Sequence, residues 1–99
     1  MIYRFHPEAR QEAIAATQRY KDIDVNLGKD FRTEVDKAIS RATSNPQAWP
    51  QTVPGIRKCL TNRFPYSLLY HYRREEQEVF IVAVAHTRRK PGYWKQRLS

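Results

Sequence analysis

Two stretches in the first half of the chain repeat apolar residues at the spacing of an amphipathic helix. The first follows Pro7, whose fixed φ suits the first helical position, and its apolar face consists of Ala9, Ala13, Ala16 and Tyr20. The second is more apolar and consists of Leu27, Phe31, Val35, Ala38, Ile39 and Ala42. We predict helices over 7–21 and 27–42, joined by a short break in which Asp24 or Asn26 caps the second helix.

Strand patterns precede and follow these helices. A short alternating segment covers Tyr3–Phe5, and three more cover Ile56–Thr61, Tyr66–Tyr72 and Val79–His86. The last of them is apolar at both parities, which is typical of a central strand covered on both faces. Two connections are polar or rich in proline: residues 73–77 form a predicted hairpin loop, and residues 47–55 form a predicted surface loop fixed by Trp49.

The predicted order is β-α-α-β-β-β, which indicates an α+β fold. Its simplest packing places the N-terminal antiparallel helical hairpin on one face of a mainly antiparallel sheet. A length of 99 residues predicts one domain over 1–99. No apolar run approaches about 20 residues, and no secretory signal is visible, so we expect no membrane association. Cys59 is the single cysteine, which excludes an intrachain disulfide and fits the cytoplasm.

Positive charge is concentrated in the second half of the chain. The formal net charge is +8, with 8 basic and 7 acidic residues up to Pro50 but 10 basic and 3 acidic residues after it. Such asymmetry favours an anionic partner, either a nucleic acid or an acidic protein segment. Solubility through net charge is the alternative explanation.

The second half also carries the candidate chemistry. Its cations and aromatic residues are Arg57, Lys58, Arg63, His86, Arg88, Arg89, Lys90, Tyr93, Trp94, Lys95 and Arg97. Because alternate strand ends meet at one edge of a meander, we expect these groups to converge on one surface. Arginine pairs with phosphate or carboxylate, and flat aromatic rings accept a base or an apolar anchor. The three glycines are far apart and the histidines lack metal-ligand spacing, so no phosphate loop, metal or cofactor is expected.

Structural roles compete with these assignments. Arg57 and Lys58 are also typical of a solvated strand, and His86 of a hydrogen-bonded structural histidine. Tyr66, Tyr70 and Tyr72 share one strand face and are predicted to pack in the core. Tyr93 and Trp94 would equally tie the C-terminus onto the sheet.

Several segments together resemble the RelE/ParE toxin superfamily, and most closely its ParE-like plasmid stabilization branch. The resemblance spans essentially the whole chain and is carried by residues 5–9, Leu27-Gly28 with Phe31 and Glu34-Val35, Asn45-Pro46, residues 56–58, 63–66 with Leu69-Tyr70, 83–86 and 88–94. It implies a toxin that is encoded with a neutralising antitoxin, for which we expect an acidic, partly disordered segment. It also implies the fold predicted above.

Two activities follow from the resemblance. ParE-like members inhibit DNA gyrase, which implies target binding through Arg57, Lys58, Arg63, Arg88, Arg89, Tyr93 and Trp94. RelE-like members cut mRNA on the ribosome, which implies Lys58, Arg63, His86, Arg88, Arg89 and Tyr93 as nuclease residues. RelE-like chains usually have arginine directly after the tyrosine that corresponds to Tyr66, whereas this chain has Ser67. We therefore favour the gyrase-type inhibitor over the nuclease. A third hypothesis is a decayed toxin that only binds its antitoxin.

Overall fold

The computed structural model describes residues 1–98 and has two helices and five strands in this range. In chain order its elements are β1 (Ile2–Phe5), α1 (Pro7–Ile23), α2 (Val25–Ser44), β2 (Gln51–Val53), β3 (Ile56–Leu60), β4 (Tyr66–Arg73), β5 (Glu78–His86) and a 3-10 helix (Lys95–Leu98). The predicted α+β class and helical hairpin are confirmed. Neither helix combines the length and hydropathy that a bilayer span requires.

The five strands form one sheet in the order β1-β5-β4-β3-β2. Strands β2 to β5 make an antiparallel meander, whereas β1 pairs with β5 in parallel and forms an edge. The strand predicted to be central, β5, is flanked on both sides, but the middle strand is β4. The strand β4 becomes the middle one because β2, which the sequence analysis did not predict, extends the sheet beyond β3.

The two helices are separated by one residue. Asp24 ends α1 and caps α2, since its Oδ1 accepts hydrogen bonds from the amides of Asn26 at 2.7 Å and Leu27 at 3.4 Å. The predicted end of α1 at Lys21 is therefore two residues short. Gly28 lies where a Cβ would stand 2.9 Å from the backbone nitrogen of Lys21, so glycine allows the helices to approach closely.

The face of the sheet that the helices cover, called here the helix face, holds the larger core. Ala9 and Ala16 are fully buried there, and Phe31 packs against the rings of Phe64 and Tyr66. Small alanine side chains let α1 lie close to the sheet, as its sequence predicts. The three tyrosines of β4 also belong to this core, which confirms their predicted packing.

The opposite face of the sheet, called here the second face, is covered by the C-terminal tail (residues 87–98). Trp94 is only 4% exposed and packs with Ile56, Leu69, Val82 and Ala83. Val82 is the additional residue of a β-bulge, because Leu69 pairs with Ala83 and Tyr70 pairs with Ile81. The bulge turns Val82 and Ala83 to the same face, where they support Trp94.

The segment 47–55 is more ordered than a surface loop. Gln51–Val53 forms β2 and pairs with β3, which the sequence analysis did not predict. Three residues between Pro50 and Pro54 are too few to show a strand period. The predicted fixing role of Trp49 is confirmed, since its ring packs against the core and its Nε1 donates to the carbonyl of Arg41 at 3.3 Å.

Candidate functional site

A cavity of about 330 Å³ opens on the second face, between the strand ends and the tail. We call it the cationic cavity; its lining is Thr52, Val53, Lys58, Ser67, Leu69, Ala85, His86, Thr87, Arg89, Lys90, Pro91, Gly92, Tyr93, Trp94 and Lys95. Small side chains at Ser67 and Ala85, which pair across β4 and β5, leave the space. The tail forms the opposite wall. Five residues of the predicted site, Lys58, His86, Arg89, Tyr93 and Trp94, are thus brought together.

The rim of the cationic cavity is positively charged. Lys58, Lys90 and Lys95 are exposed, and their side chains have no ion pair within residues 1–98. No aspartate or glutamate is part of the lining. Arg89 lies with its Cζ 3.8 Å from the centroid of the Tyr93 ring, a cation–π contact. The chain therefore brings four cations to one opening without a neutralising carboxylate.

Ser67 contributes an unusual polar group to this cavity. Ser67 is only 3% exposed, and its Oγ has no hydrogen-bond partner in the described part of the protein. Burial of an unpaired hydroxyl costs about 1–3 kcal/mol. Ser67 shares the second face with Leu69 and Lys58, because side chains two residues apart point to the same side and Lys58 pairs with Leu69.

Tyr93 is fixed by a network that the sequence analysis missed. Its hydroxyl donates to Oε2 of Glu12 at 2.6 Å. Arg97 donates to both oxygens of the same carboxylate, at 2.8 and 3.0 Å, and to the carbonyl of Val82. The amide of Val84 donates to Oε1 of Glu12 at 3.1 Å. This carboxylate therefore joins α1, β5 and the tail.

The network changes the acidity of its members. Burial raises the pKa of Glu12, but the hydrogen bonds from Arg97, Tyr93 and Val84 together hold it below its ordinary value. Burial, together with donation to Glu12, raises the pKa of the Tyr93 phenol far above its ordinary value. Tyr93 thus stays protonated, and its proton is already committed to a carboxylate.

One clue to this network was present in the sequence. Glu12 lies three residues after Ala9 and four before Ala16, so it interrupts the buried alanine face of α1. A carboxylate at such a position requires a buried partner. Its partner Arg97 lies 85 residues away, and no local pattern predicts that pairing.

His86 lies at the end of β5 between the two faces of the sheet. Its ring makes an edge contact with Tyr66 at 5.1 Å between centroids. Its Nδ1 accepts the backbone N–H of Arg88 at 3.0 Å. The ring therefore shapes the turn that leads into the tail, while it also borders the cationic cavity.

Arg57 does not reach the cationic cavity. It follows Ile56 on β3 and alternates with Lys58, so its side chain extends over the helix face. Its Nη1 donates to the carbonyls of Gln47 at 3.1 Å and Trp49 at 2.7 Å. Arg57 thus holds the 47–49 segment against the sheet.

Arg63 also lies apart from the cavity. It has a positive φ of 70° in the turn before β4, and its Nη1 lies 3.3 Å from Oδ2 of Asp30 on α2. Arg88 is exposed at the start of the tail but does not line the cavity. The expected convergence on one surface is thus wrong for Arg57 and Arg63, because strand alternation and a turn direct those two side chains toward the helices. Arg88 and Arg97 also lie outside the lining of the cavity.

A second depression lies between the two helices and β1. We call it the interhelical groove; its volume is about 290 Å³ and its lining is Tyr3, Phe5, Arg10, Ala13, Ile14, Thr17, Gln18, Lys21, Arg32, Val35, Asp36 and Ile39. Tyr3 and Ile14 are each about half exposed. The groove is therefore apolar at its centre and mostly basic at its rim, beside an unpaired strand edge.

Comparison with known proteins identifies the family. Residues 3–91 match the family model described as ParE toxin of type II toxin-antitoxin system, parDE. The chain belongs to the ParE toxin family. A chain of the structure titled "Chromosomal ParDE TA system from P. aeruginosa" shares the fold, with a TM-score of 0.62 and 17% identity over 87% of this chain and 95% of that one. No curated protein matches the sequence significantly.

Membership of the ParE toxin family confirms the resemblance seen in the sequence and implies an antitoxin partner. Within residues 1–98, no group of three or more histidine, cysteine, aspartate or glutamate side chains is placed to hold a metal ion.

Proposed function

We propose that this ParE toxin inhibits growth by binding an essential DNA-handling enzyme such as DNA gyrase, and that a cognate acidic antitoxin neutralises it. The family match supports the toxin class, and the open cations at the tail support an anionic or acidic target surface. The target-binding residues in this proposal are Lys58, Arg88, Arg89 and Tyr93, whereas the buried Trp94 holds the tail on the sheet. Arg57 and Arg63 act on the structure of the toxin itself.

The hydrogen bond from Tyr93 to Glu12 is the observation that favours an inhibitor over a nuclease. Cleavage of RNA by its 2′-hydroxyl requires groups that accept and donate protons at the reacting atoms. The Tyr93 phenol instead donates to Glu12 and has a raised pKa. A binding function needs only the charge and shape of the surface, so it fits these residues better than nuclease chemistry does.

The interhelical groove supports a location for the antitoxin. An amphipathic segment can place apolar side chains against Ile14 and Val35, while its carboxylates approach the basic rim. The free edge of β1 offers backbone groups to an added strand. The groove and the cationic cavity lie on different sides of the sheet, so antitoxin and target occupy separate surfaces in this proposal.

The function is tested with purified toxin, gyrase and relaxed plasmid, beside programmed ribosomes. We expect loss of supercoiling and no mRNA cleavage. The double variant Arg88→Ala/Arg89→Ala removes two exposed cations, so we expect it to inhibit at least about tenfold less strongly and to retain antitoxin binding.

A matched control is the variant Lys29→Ala/Arg74→Ala, which removes the same charge from exposed positions on α2 and in the β4–β5 turn. We expect it to inhibit as the wild type does. Codon-positioned mRNA cleavage would identify a RelE-like nuclease instead. Expression without growth arrest would indicate a decayed toxin.

A further inference from the structure

The cationic cavity differs from the rest of the surface in the state of its cations. Elsewhere some arginines meet carboxylates: Arg4 and Arg73 pair with Glu78, and Arg97 pairs with Glu12. Other cations without an ion pair in residues 1–98, such as Lys29 and Arg74, lie on separate elements and line no common opening with the cavity. Lys58, Lys90 and Lys95 converge without such a partner in the described residues. Mutual repulsion of these lysines is relieved when an anion enters between them.

Ser67 supplies an independent indication of a ligand. Its buried hydroxyl lines the cavity and has no acceptor within residues 1–98. A hydroxyl between lysines matches an oxygen anion, to which it donates while the lysines provide charge. The cavity thus has a hydrogen-bond donor at its buried base and positive charges at its exposed rim.

We propose that the cationic cavity binds a phosphodiester group of a nucleic-acid strand. Positive charge continues past the opening at Arg88, which is exposed and has no ion pair within residues 1–98. A polymer with regularly spaced charges engages both the cavity and this extension, whereas a single small anion engages only one. This interaction goes beyond the proposed inhibition of gyrase and does not require it.

The arrangement of the aromatic residues makes this binding independent of base sequence. Trp94 is buried between the tail and the sheet, and the Tyr93 ring already makes cation–π contacts with both Arg89 and Arg97. Neither ring offers a free platform for stacking a base. Recognition therefore rests on phosphate contacts, which position a strand without reading its sequence.

The charge contribution is tested by fluorescence anisotropy with a labelled single-stranded oligonucleotide, without gyrase, over a series of salt concentrations. The variant Lys58→Ala/Lys90→Ala removes two rim cations that make no ion pair with any residue from 1 to 98. We expect its affinity at about 0.1 M salt to fall about 10- to 30-fold, and its salt slope to become shallower by about 1.4. Lys29→Ala/Arg74→Ala, the control of equal charge, should bind as the wild type does.

The hydroxyl is tested by Ser67→Ala, which separates a ligand contact from a structural one. Removal of an unpaired buried hydroxyl should leave the melting temperature equal or higher, while oligonucleotide affinity falls about three- to tenfold and the salt slope stays unchanged. A lower melting temperature with unchanged affinity would overturn the role of Ser67 as a ligand.

Two further outcomes would overturn the proposal as a whole. One is equal loss of affinity in the cavity variant and the control variant, which means that overall charge alone attracts the strand. The other is equally effective competition by polyglutamate of matched charge, which indicates a protein carboxylate as the ligand. Gyrase inhibition without oligonucleotide binding would refute this inference and leave the proposed function intact. Oligonucleotide binding without gyrase inhibition would support this inference and refute the proposed function.

Discussion

At the scale of single residues, Glu12 determines the position of the tail. The two carboxylate oxygens of Glu12 accept four hydrogen bonds. One comes from the Tyr93 hydroxyl, one from the Val84 amide, and one from each terminal nitrogen of Arg97. The side chains of Glu12 and Arg97 are only 16% and 10% exposed, so solvent screens their attraction weakly. Tyr93 and Trp94 are placed beside the cationic cavity as a consequence.

We expect Glu12→Gln to destabilise the protein by about 2–3 kcal/mol, somewhat less than the loss of a fully buried ion pair, because Arg97 loses its largely buried counter-charge and keeps only the exposed carboxylate of Glu8, 3.4 Å from its Nε. Urea unfolding at neutral pH measures this difference. Glu76→Gln in the exposed β4–β5 turn is the control and should change stability by less than about 0.5 kcal/mol. An equal effect of the two substitutions would contradict the role of the network.

The lowered pKa of Glu12 also makes the stability of the protein depend on pH. The pKa of Glu12 in the folded protein is below its ordinary value of 4.5, so its contribution to stability is fully present above that value. It is lost as the pH falls through the lowered pKa. The stability difference between wild type and Glu12→Gln should therefore shrink in acid, and unfolding curves at a series of pH values would detect it.

At the scale of elements, β3 separates two functions by strand alternation. Arg57 extends over the helix face and binds two carbonyls of the 47–49 segment, while Lys58 extends over the second face into the cavity rim. The sequence predicted the strand and both cations, but not that the pair would divide. Alternation divides any two neighbouring residues of a strand, whereas the contact of Arg57 with the 47–49 segment depends on the path of the loop before β2, which is a tertiary feature.

We expect Arg57→Ala to lower the free energy of unfolding by about 1–2 kcal/mol, since two carbonyls lose a charged donor. Hydrogen exchange should quicken at the amide of Lys58, which donates to the carbonyl of Pro50 where β2 joins β3. The neighbouring Lys58→Ala is the matched control and should leave both stability and exchange near wild-type values. Weaker target binding by Arg57→Ala at unchanged stability would instead make Arg57 a contact residue.

At the scale of the whole molecule, sequence periodicity predicted the helical hairpin and four of the five strands because those signals are local. The parallel pairing of β1 with β5, the tail over the second face and the Glu12–Arg97 pair depend on contacts distant in sequence. The net positive charge of the second half was likewise visible, but its division between internal pairing and an open rim was not. The site could be predicted only where local strand register decides which side chains meet.

Because the interhelical groove and the cationic cavity lie on different sides of the sheet, we expect antitoxin binding and toxicity to be affected by different substitutions. Ile14 is half exposed in the interhelical groove, so Ile14→Asp should fold normally while it places a charge against an apolar, acidic antitoxin segment. We expect loss of antitoxin on co-purification and retained growth arrest. Ile23→Asp makes the same change on the same helix outside the groove, and it should keep its antitoxin.

The salt dependence of the complex identifies the dominant force in that groove. Retention of the wild-type antitoxin at high salt would mean that apolar contacts around Ile14 hold it, because salt screens the basic rim but leaves buried apolar area effective. Release at high salt would mean that the rim holds it, and then Arg10→Ala/Arg32→Ala should weaken the complex more than Ile14→Asp does. If Ile14→Asp and Ile23→Asp both retain the antitoxin at every salt concentration, the antitoxin binds outside the interhelical groove.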